Sequence, residues 1–127
     1  MSNIPDNLIY TEEHEWAKIE NGEAFIGITD FAQSSLGDIV YLELPSKGST
    51  ILRSKSFGVV ESIKSVSDLF SAFTGEIVDV NSNLVSTPEK LNHSPYENWL
   101  IKIKLSDTTE TQTLLSPSNY KAHIDKA

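Results

Sequence analysis

The stretch FGVVESIKSVSDLFSAFTGEIVDVN, residues 57–81, sets one lysine, Lys64, between runs rich in β-branched and aromatic residues. Phe57-Gly58-Val59-Val60 precedes it, and Val66 to Phe73 and then Ile77-Val78-Asp79-Val80 follow. Such residues suit a pleated, half-buried strand. Small polar residues, Ser62 and Ser65, bracket the centre, so the pattern predicts a hairpin whose short connection points its side chains into water. Lys64 is then an exposed handle, and Thr74-Gly75 reads as the next turn. An exposed lysine alone is an ordinary solvated charge. Its meaning has to come from the rest of the chain.

At 127 residues the chain reads as one domain, residues 1–127, large enough for a core but short for an enzyme that holds a big cofactor between domains. A formal charge of −8 disfavours nucleic acid and anionic membrane surfaces and favours partners with basic docking surfaces. No apolar run approaches a membrane span, and residues 1–7 lack the basic start and apolar stretch of a signal peptide. The chain therefore reads as cytoplasmic, or as mitochondrial matrix only where a transit peptide has been removed. With no cysteine, any thiol chemistry must come from an added group.

Taken in order, Thr11 to Ile19 predicts a strand anchored by Trp16, Asn21-Gly22 a hairpin turn, and Ala24 to Ile28 the returning strand. Thr29-Asp30 caps a short helix from Phe31 to Leu36 that Gly37 ends. In the strand Ile39 to Leu44, alternation puts Val40, Leu42 and Leu44 on one face. Asn81-Ser82-Asn83 breaks the strand that ends at Val80. Thr87-Pro88-Glu89 reads as a cap opening one helical turn through Leu91, followed by loop from Asn92 to Asn98. Trp99 to Leu105 alternates, with Trp99, Ile101, Ile103 and Leu105 on one face. The tail, about 107–125, carries two helical signals, Asp107 to Glu110 as a capping box and Ser116-Pro117 opening a run to Ile124. Many short strands with closely spaced turns indicate a mostly β sandwich or barrel with short helices and a C-terminal helical segment.

Glu61 stands three residues before Lys64 and Gly75 eleven after it, an arrangement that resembles the lipoyl-bearing hairpin of acyltransferase lipoyl domains. Biotin carriers usually place methionine on both sides of the lysine, and here the neighbours are Ile63 and Ser65. The run from Val60 to Leu69 narrows the similarity to the glycine cleavage H-protein family. His14-Glu15-Trp16, Gly27-Ile28-Thr29-Asp30, Leu36 to Val40, Glu43-Leu44-Pro45, Asn92, Pro95-Tyr96 and Trp99 with Ile101-Lys102-Ile103 continue it in family order. Ala72, where proline is frequent, and Asn98, where glycine is common, depart from it.

That resemblance implies a hybrid barrel-sandwich fold and a carrier, not an enzyme, with lipoic acid joined to the Lys64 side chain. The implied partners are a pyridoxal-phosphate glycine decarboxylase, a tetrahydrofolate-dependent aminomethyltransferase, dihydrolipoamide dehydrogenase, and the lipoyl-attaching enzyme, for which Glu61 serves recognition. Glu15, Asp68 and Glu13 fall where the family parks its loaded arm. Two alternatives stand beside this reading. One is a lipoyl relay to 2-oxoacid dehydrogenase subunits; the other is a small enzyme using His14 and its neighbouring carboxylates. Against the second, His93 and His123 lie far from His14 without metal-ligand spacing, so His14 reads as structural and no metal is expected. Trp16 and Trp99 read as core anchors.

Overall fold

Asn21 and Gly22 both adopt left-handed backbone, with φ of 52° and 78°, the conformation that a two-residue turn needs to match the twist of its strands. They fold β2 (Glu15–Glu20) back onto β3 (Glu23–Ile28), with Glu20 opposite Glu23. The computed structural model describes residues 2–126. From this hairpin a six-stranded antiparallel sheet grows in the order β1-β2-β3-β9-β8-β5. Its other members are β1 (Ile9–Tyr10), β5 (Thr50–Ile51), β8 (Gly75–Val80) and β9 (Ile101–Leu105). The second sheet has three strands, β4 (Ile39–Glu43), β6 (Ser56–Ser62) and β7 (Val66–Phe70), in the order β4-β6-β7. Neither sheet closes on itself, so the mostly β architecture is a barrel-sandwich of two antiparallel sheets with short helices.

The main core lies between the sheets: Ile26, Leu42, Val60, Phe73, Ile77, Leu91, Ile101 and Ile103 are all buried in it. A second, aromatic cluster of Leu8, Tyr10, Trp16 and Tyr120 sits apart, with Phe25 and Trp99 packed against it. Trp16 lies across the sheet from Gly27, where a Cβ would come within 2.6 Å of the indole. The glycine is what lets the indole lie flat on the strand. Trp16 Nε1 donates to Pro95 O at 3.1 Å, which satisfies the polar end of the anchor.

Helix α1 (Asp30–Leu36) begins where the Thr29 hydroxyl accepts from Ala32 N and ends at Gly37, whose φ is 82°. Helix α4 (Pro117–Asp125) opens with Ser116 accepting from Asn119 N, with proline in the first turn. Both match the cap residues read from sequence.

Other expectations are corrected. Val40 is 53% exposed and leaves the face of Leu42, because β4 carries a bulge: Ile39 pairs with Ser62 and Tyr41 with the adjacent Glu61, so Val40 has no partner. Trp99 also leaves its predicted face. Leu100 is buried in the main core, β9 starts only at Ile101, and Trp99 packs edge-on to Phe25 at 5.4 Å. Between β8 and β9 lie two four-residue helices, α2 (Asn83–Ser86) and α3 (Lys90–His93). The first stands where the sequence shows only a break, and Thr87 does not cap the second, since its hydroxyl donates to Asn83 O. Near the C-terminus Asp107 caps a 3₁₀ turn, Thr108–Thr113. Glu110 does not complete a capping box; its carboxylate accepts from Thr74 N at 2.9 Å and ties the turn to the start of β8.

Candidate functional site

The connection from β6 to β7 is three residues, Ile63-Lys64-Ser65, and all three are exposed. All three of its amides are nevertheless hydrogen-bonded. Ser62 N donates to Ser65 O at 2.8 Å and Ile63 N to Asp38 O at 3.0 Å. The buried Ser62 hydroxyl accepts from Lys64 N at 3.1 Å and from Ser65 N at 3.2 Å. A serine side chain that closes a turn on the amides ahead of it is a local device, legible in the Ser-x-x-Ser spacing. The tip is thus solvent-facing, with its amides tied down by hydrogen bonds.

Lys64 makes no ion pair among the described residues. Its stem rests against the end of α1: a Cβ placed on Gly37 would lie 3.2 Å from Lys64 Cε. The lysine is an accessible amine on a hydrogen-bonded loop, with its charge near the carbonyl end of a short helix. That position suits covalent attachment of an acyl group, since among the described residues the side chain is exposed and no carboxylate pairs with the nitrogen.

Glu61 is half-buried in β6, in register with Tyr41 on one side and Val66 on the other, both largely exposed. Paired residues share a face, so Glu61 stands between two apolar side chains on the outer surface of the small sheet. The next outward row is Glu43, Val59 and Asp68. Asp68 is exposed, and its Oδ1 accepts from Ser56 Oγ at 3.4 Å.

Glu15 has a different setting. It is 3% exposed; Thr11 Oγ1 donates to its Oε1 at 2.7 Å and Phe70 N points at Oε2 from 3.4 Å. Burial raises its pKa to about 8, with the nearby Glu13 adding to the rise and the two hydrogen bonds opposing it. At neutral pH it is therefore mainly a neutral acid. A cavity of about 300 Å³ opens beside it, lined by Thr11, Glu13, Arg53, Phe70 and Thr113 among others. Asp68 is not in that lining. The structure thus brings Glu13 and Glu15 to one cavity and leaves Asp68 on the outer sheet face. A trio of converging carboxylates, as expected from sequence, does not form.

His14 holds a left-handed backbone, φ 71°, that directs its ring onto α4, where Nδ1 lies 2.9 Å from the Tyr120 hydroxyl. His123, 109 positions on in the sequence, lies beside it with ring centroids 5.5 Å apart. Among the described residues no three metal-ligating side chains come together. Sequence reading missed the contributions to the tip of Asp38, whose carbonyl accepts from Ile63 N, of Gly37, against which the Lys64 stem rests, and of Asn92, which accepts from Ile39 N and donates to Gly37 O. Gly37 reads simply as a helix stop and Asn92 as the start of a loop, and neither local pattern points to Lys64.

Comparison with known proteins agrees with the hairpin and the two-sheet architecture. The family model described as glycine cleavage H-protein matches residues 8–127. A glycine cleavage system H protein of Brevibacillus brevis is 50% identical over 95% of this chain and 97% of its own length. One from Halalkalibacterium halodurans is 48% identical over 99% of both. The crystal structure of a glycine cleavage system H protein from Mycobacterium marinum superposes with a TM-score of 0.89 at 36% identity, covering 96% of this chain and 99% of that one. With matches that span nearly its whole length, the chain belongs to the glycine cleavage H-protein family.

Proposed function

We propose that the chain is the lipoyl carrier of a glycine cleavage system and that Lys64 is its attachment point. The observation that carries this reading is the three-residue tip, its amides all hydrogen-bonded, that holds an exposed lysine away from the sheet. As the free amine, Lys64 Nζ would form an amide with the activated carboxyl of lipoate, releasing the activating group and a proton. When bound, the lipoyl group supplies the disulfide and dithiol chemistry that a chain without cysteine cannot provide.

The protein's own residues do the remaining work. Ser62 and Asp38 fix the tip, so one end of the arm is anchored while the other is free to visit several active sites at high effective concentration. Those sites belong to a pyridoxal-phosphate glycine decarboxylase, a tetrahydrofolate-dependent aminomethyltransferase and dihydrolipoamide dehydrogenase. Glu61, beside the tip and flanked by Tyr41 and Val66, serves recognition by the lipoyl-attaching enzyme. The cavity next to Glu15 and Glu13 is a recess at the base of the hairpin able to shelter an arm end. In it the protonated Glu15 offers a hydrogen bond and Glu13 a charge, in place of three carboxylates. Asp68 acts from the outer face as part of the docking surface. The chain catalyses nothing by itself, and the cytoplasm suits this role. The relay reading has no observation in its favour.

Expression with lipoate and an attaching enzyme, followed by intact-mass measurement and peptide mapping, tests the assignment. Lys64 alone should carry the group, and Lys64→Arg should fold and carry none. A lipoyl group on Lys55 or Lys102, or glycine turnover by the unmodified chain, would overturn it.

A further inference from the structure

Asp38, whose carbonyl holds the lysine tip through Ile63 N, is itself clamped from both sides by one side chain. Asn92, in α3, accepts from Ile39 N through Oδ1 at 2.9 Å and donates through Nδ2 to Gly37 O at 2.9 Å and to Gln33 Oε1 at 3.1 Å. Only this orientation of the amide satisfies all three contacts; a flip would set N–H against N–H and oxygen against two oxygens. The same segment meets Lys64 a second time, because the bare Cα of Gly37 leaves the space that the Lys64 stem occupies. One short stretch, residues 37–39, therefore sets both the backbone of the tip and the course of the lysine side chain. Asn92 is 28 positions from Lys64 and, among the described residues, bonds to Ile39, Gly37 and Gln33 and not to Lys64.

We propose that Asn92 is a positioning residue for acylation of Lys64: it fixes residues 37–39, and these present the lysine in a ready-made conformation to the attaching enzyme. The inference rests on the lipoyl-carrier reading above. An enzyme that acylates Lys64 must take the nitrogen itself into its active site, so any disorder in the tip has to be removed when the two proteins meet. A preordered tip avoids that cost, and its loss appears as weaker productive binding, not as slower chemistry once bound. The plainer alternative is that Asn92 merely ties α3 to α1. Asn98 provides the comparison, because its Nδ2 also donates to a backbone carbonyl, Ser94 O at 2.8 Å, in the same region without reaching residues 37–39.

The test uses the full unmodified chain as acceptor for a lipoate ligase with lipoate and ATP, with initial rates measured against acceptor concentration. Asn92→Ala should raise the KM for the acceptor about fivefold, the factor corresponding to one net hydrogen bond, while kcat stays within about twofold. Hydrogen exchange at the Ile63 amide should quicken in the same variant. Asn98→Ala should lower thermal stability comparably and leave both readouts at the wild-type level. Should Asn92→Ala fail to fold, Asn92→Asp keeps an acceptor for Ile39 N, loses both donated bonds, and carries the same expectations. If either KM or Ile63 exchange in the Asn92 variant matches that of Asn98→Ala, the inference is wrong. If the ligase leaves wild-type Lys64 unmodified, the carrier reading itself fails, and Ile63 exchange still reports whether Asn92 orders the tip.

Discussion

Thr11 and Glu15 form a reciprocal buried pair: Thr11 Oγ1 donates to Glu15 Oε1 at 2.7 Å while Glu15 N donates back to Thr11 Oγ1 at 3.0 Å. The exchange closes the turn that leads into β2 and holds the carboxyl against Phe70 N at the far end of β7. The base of the hairpin is thereby tied to the first hairpin's entry through an acid that prefers its proton.

Glu15 consequently makes stability depend on pH. Its folded pKa, about 8, lies above its ordinary value of 4.5, so the folded state binds the proton more tightly than the unfolded state. The stabilisation is fully present below about pH 4.5 and is lost as pH rises through about 8. Glu15→Gln has no such proton to lose. Thermal melts between pH 6 and 9 should show wild type falling relative to the variant, and parallel curves would contradict the assignment.

His14 contributes with the opposite sign. Burial, with the neighbouring His123 adding to it, lowers its pKa below the ordinary 6.5. The groups around its ring are the Tyr120 hydroxyl, His123 and Phe31. The unfolded state then binds the proton more readily, so stability is full above about 6.5 and declines as pH falls from there toward the lowered folded value. Asparagine tolerates the left-handed backbone at this position better than most residues. His14→Asn should therefore reduce the acid-side loss, read as slower amide exchange in α4 at pH 5.5 than wild type shows. Faster exchange at every pH would mean that packing, not titration, dominates there.

Legibility divides along the range of the interaction. Asn21-Gly22, the Thr29 and Ser116 caps and the Ser62–Ser65 turn are set by residues within four positions of one another, and local pattern finds them, whereas the hold of Asp38 on Ile63 N is long-range. Val40 and Trp99 leave their expected faces because a bulge opposite Ser62 and the burial of Leu100 interrupt an alternation that sequence shows as unbroken. The proton on Glu15 depends on burial contributed by chain tens of residues away, and the hold of Asn92 on residues 37–39 joins positions more than 50 apart. No local signal encodes either one.

Gly75 illustrates the same limit and yields a stability prediction. It reads as a turn glycine, yet it is the first residue of β8, paired with both Ile51 and Leu105. A Cβ there would lie 2.2 Å from Lys104 O and 2.5 Å from an Ile103 methyl group. Backbone cannot swing aside as a flexible side chain can, so Gly75→Ala must push β8 away from β9. The expected loss is about 3 kcal/mol or more, in the range of overpacked cores. Gly48→Ala makes a useful comparison because no atom lies within 4 Å of its added Cβ, leaving only the cost of a φ of +92°. A denaturant midpoint for Gly75→Ala equal to that of Gly48→Ala would show that the strands yield more easily than this geometry allows.

The outer face of the small sheet leads to a prediction about docking. Its rows place Glu43, Glu61 and Asp68 around Tyr41, Val59 and Val66, and strands β4, β6 and β7 contain no lysine or arginine. Three carboxylates on one exposed surface, in a chain of net charge −8, set up a field that attracts a basic rim and repels another acidic carrier. Exposed charges act over about 8 Å at physiological ionic strength, so the attraction is strongest in dilute salt. Association of the carrier with the decarboxylase and the aminomethyltransferase proposed above as its partners should therefore weaken as salt rises, mainly through a slower on-rate. Glu43→Gln with Asp68→Asn should lower the on-rate in dilute salt and flatten its salt dependence. Neither carboxylate is buried, so the pair of substitutions should change folding stability by less than about 1 kcal/mol. Stopped-flow association at several salt concentrations measures the slope directly, and a slope unchanged in the double variant would place the docking surface elsewhere on the molecule.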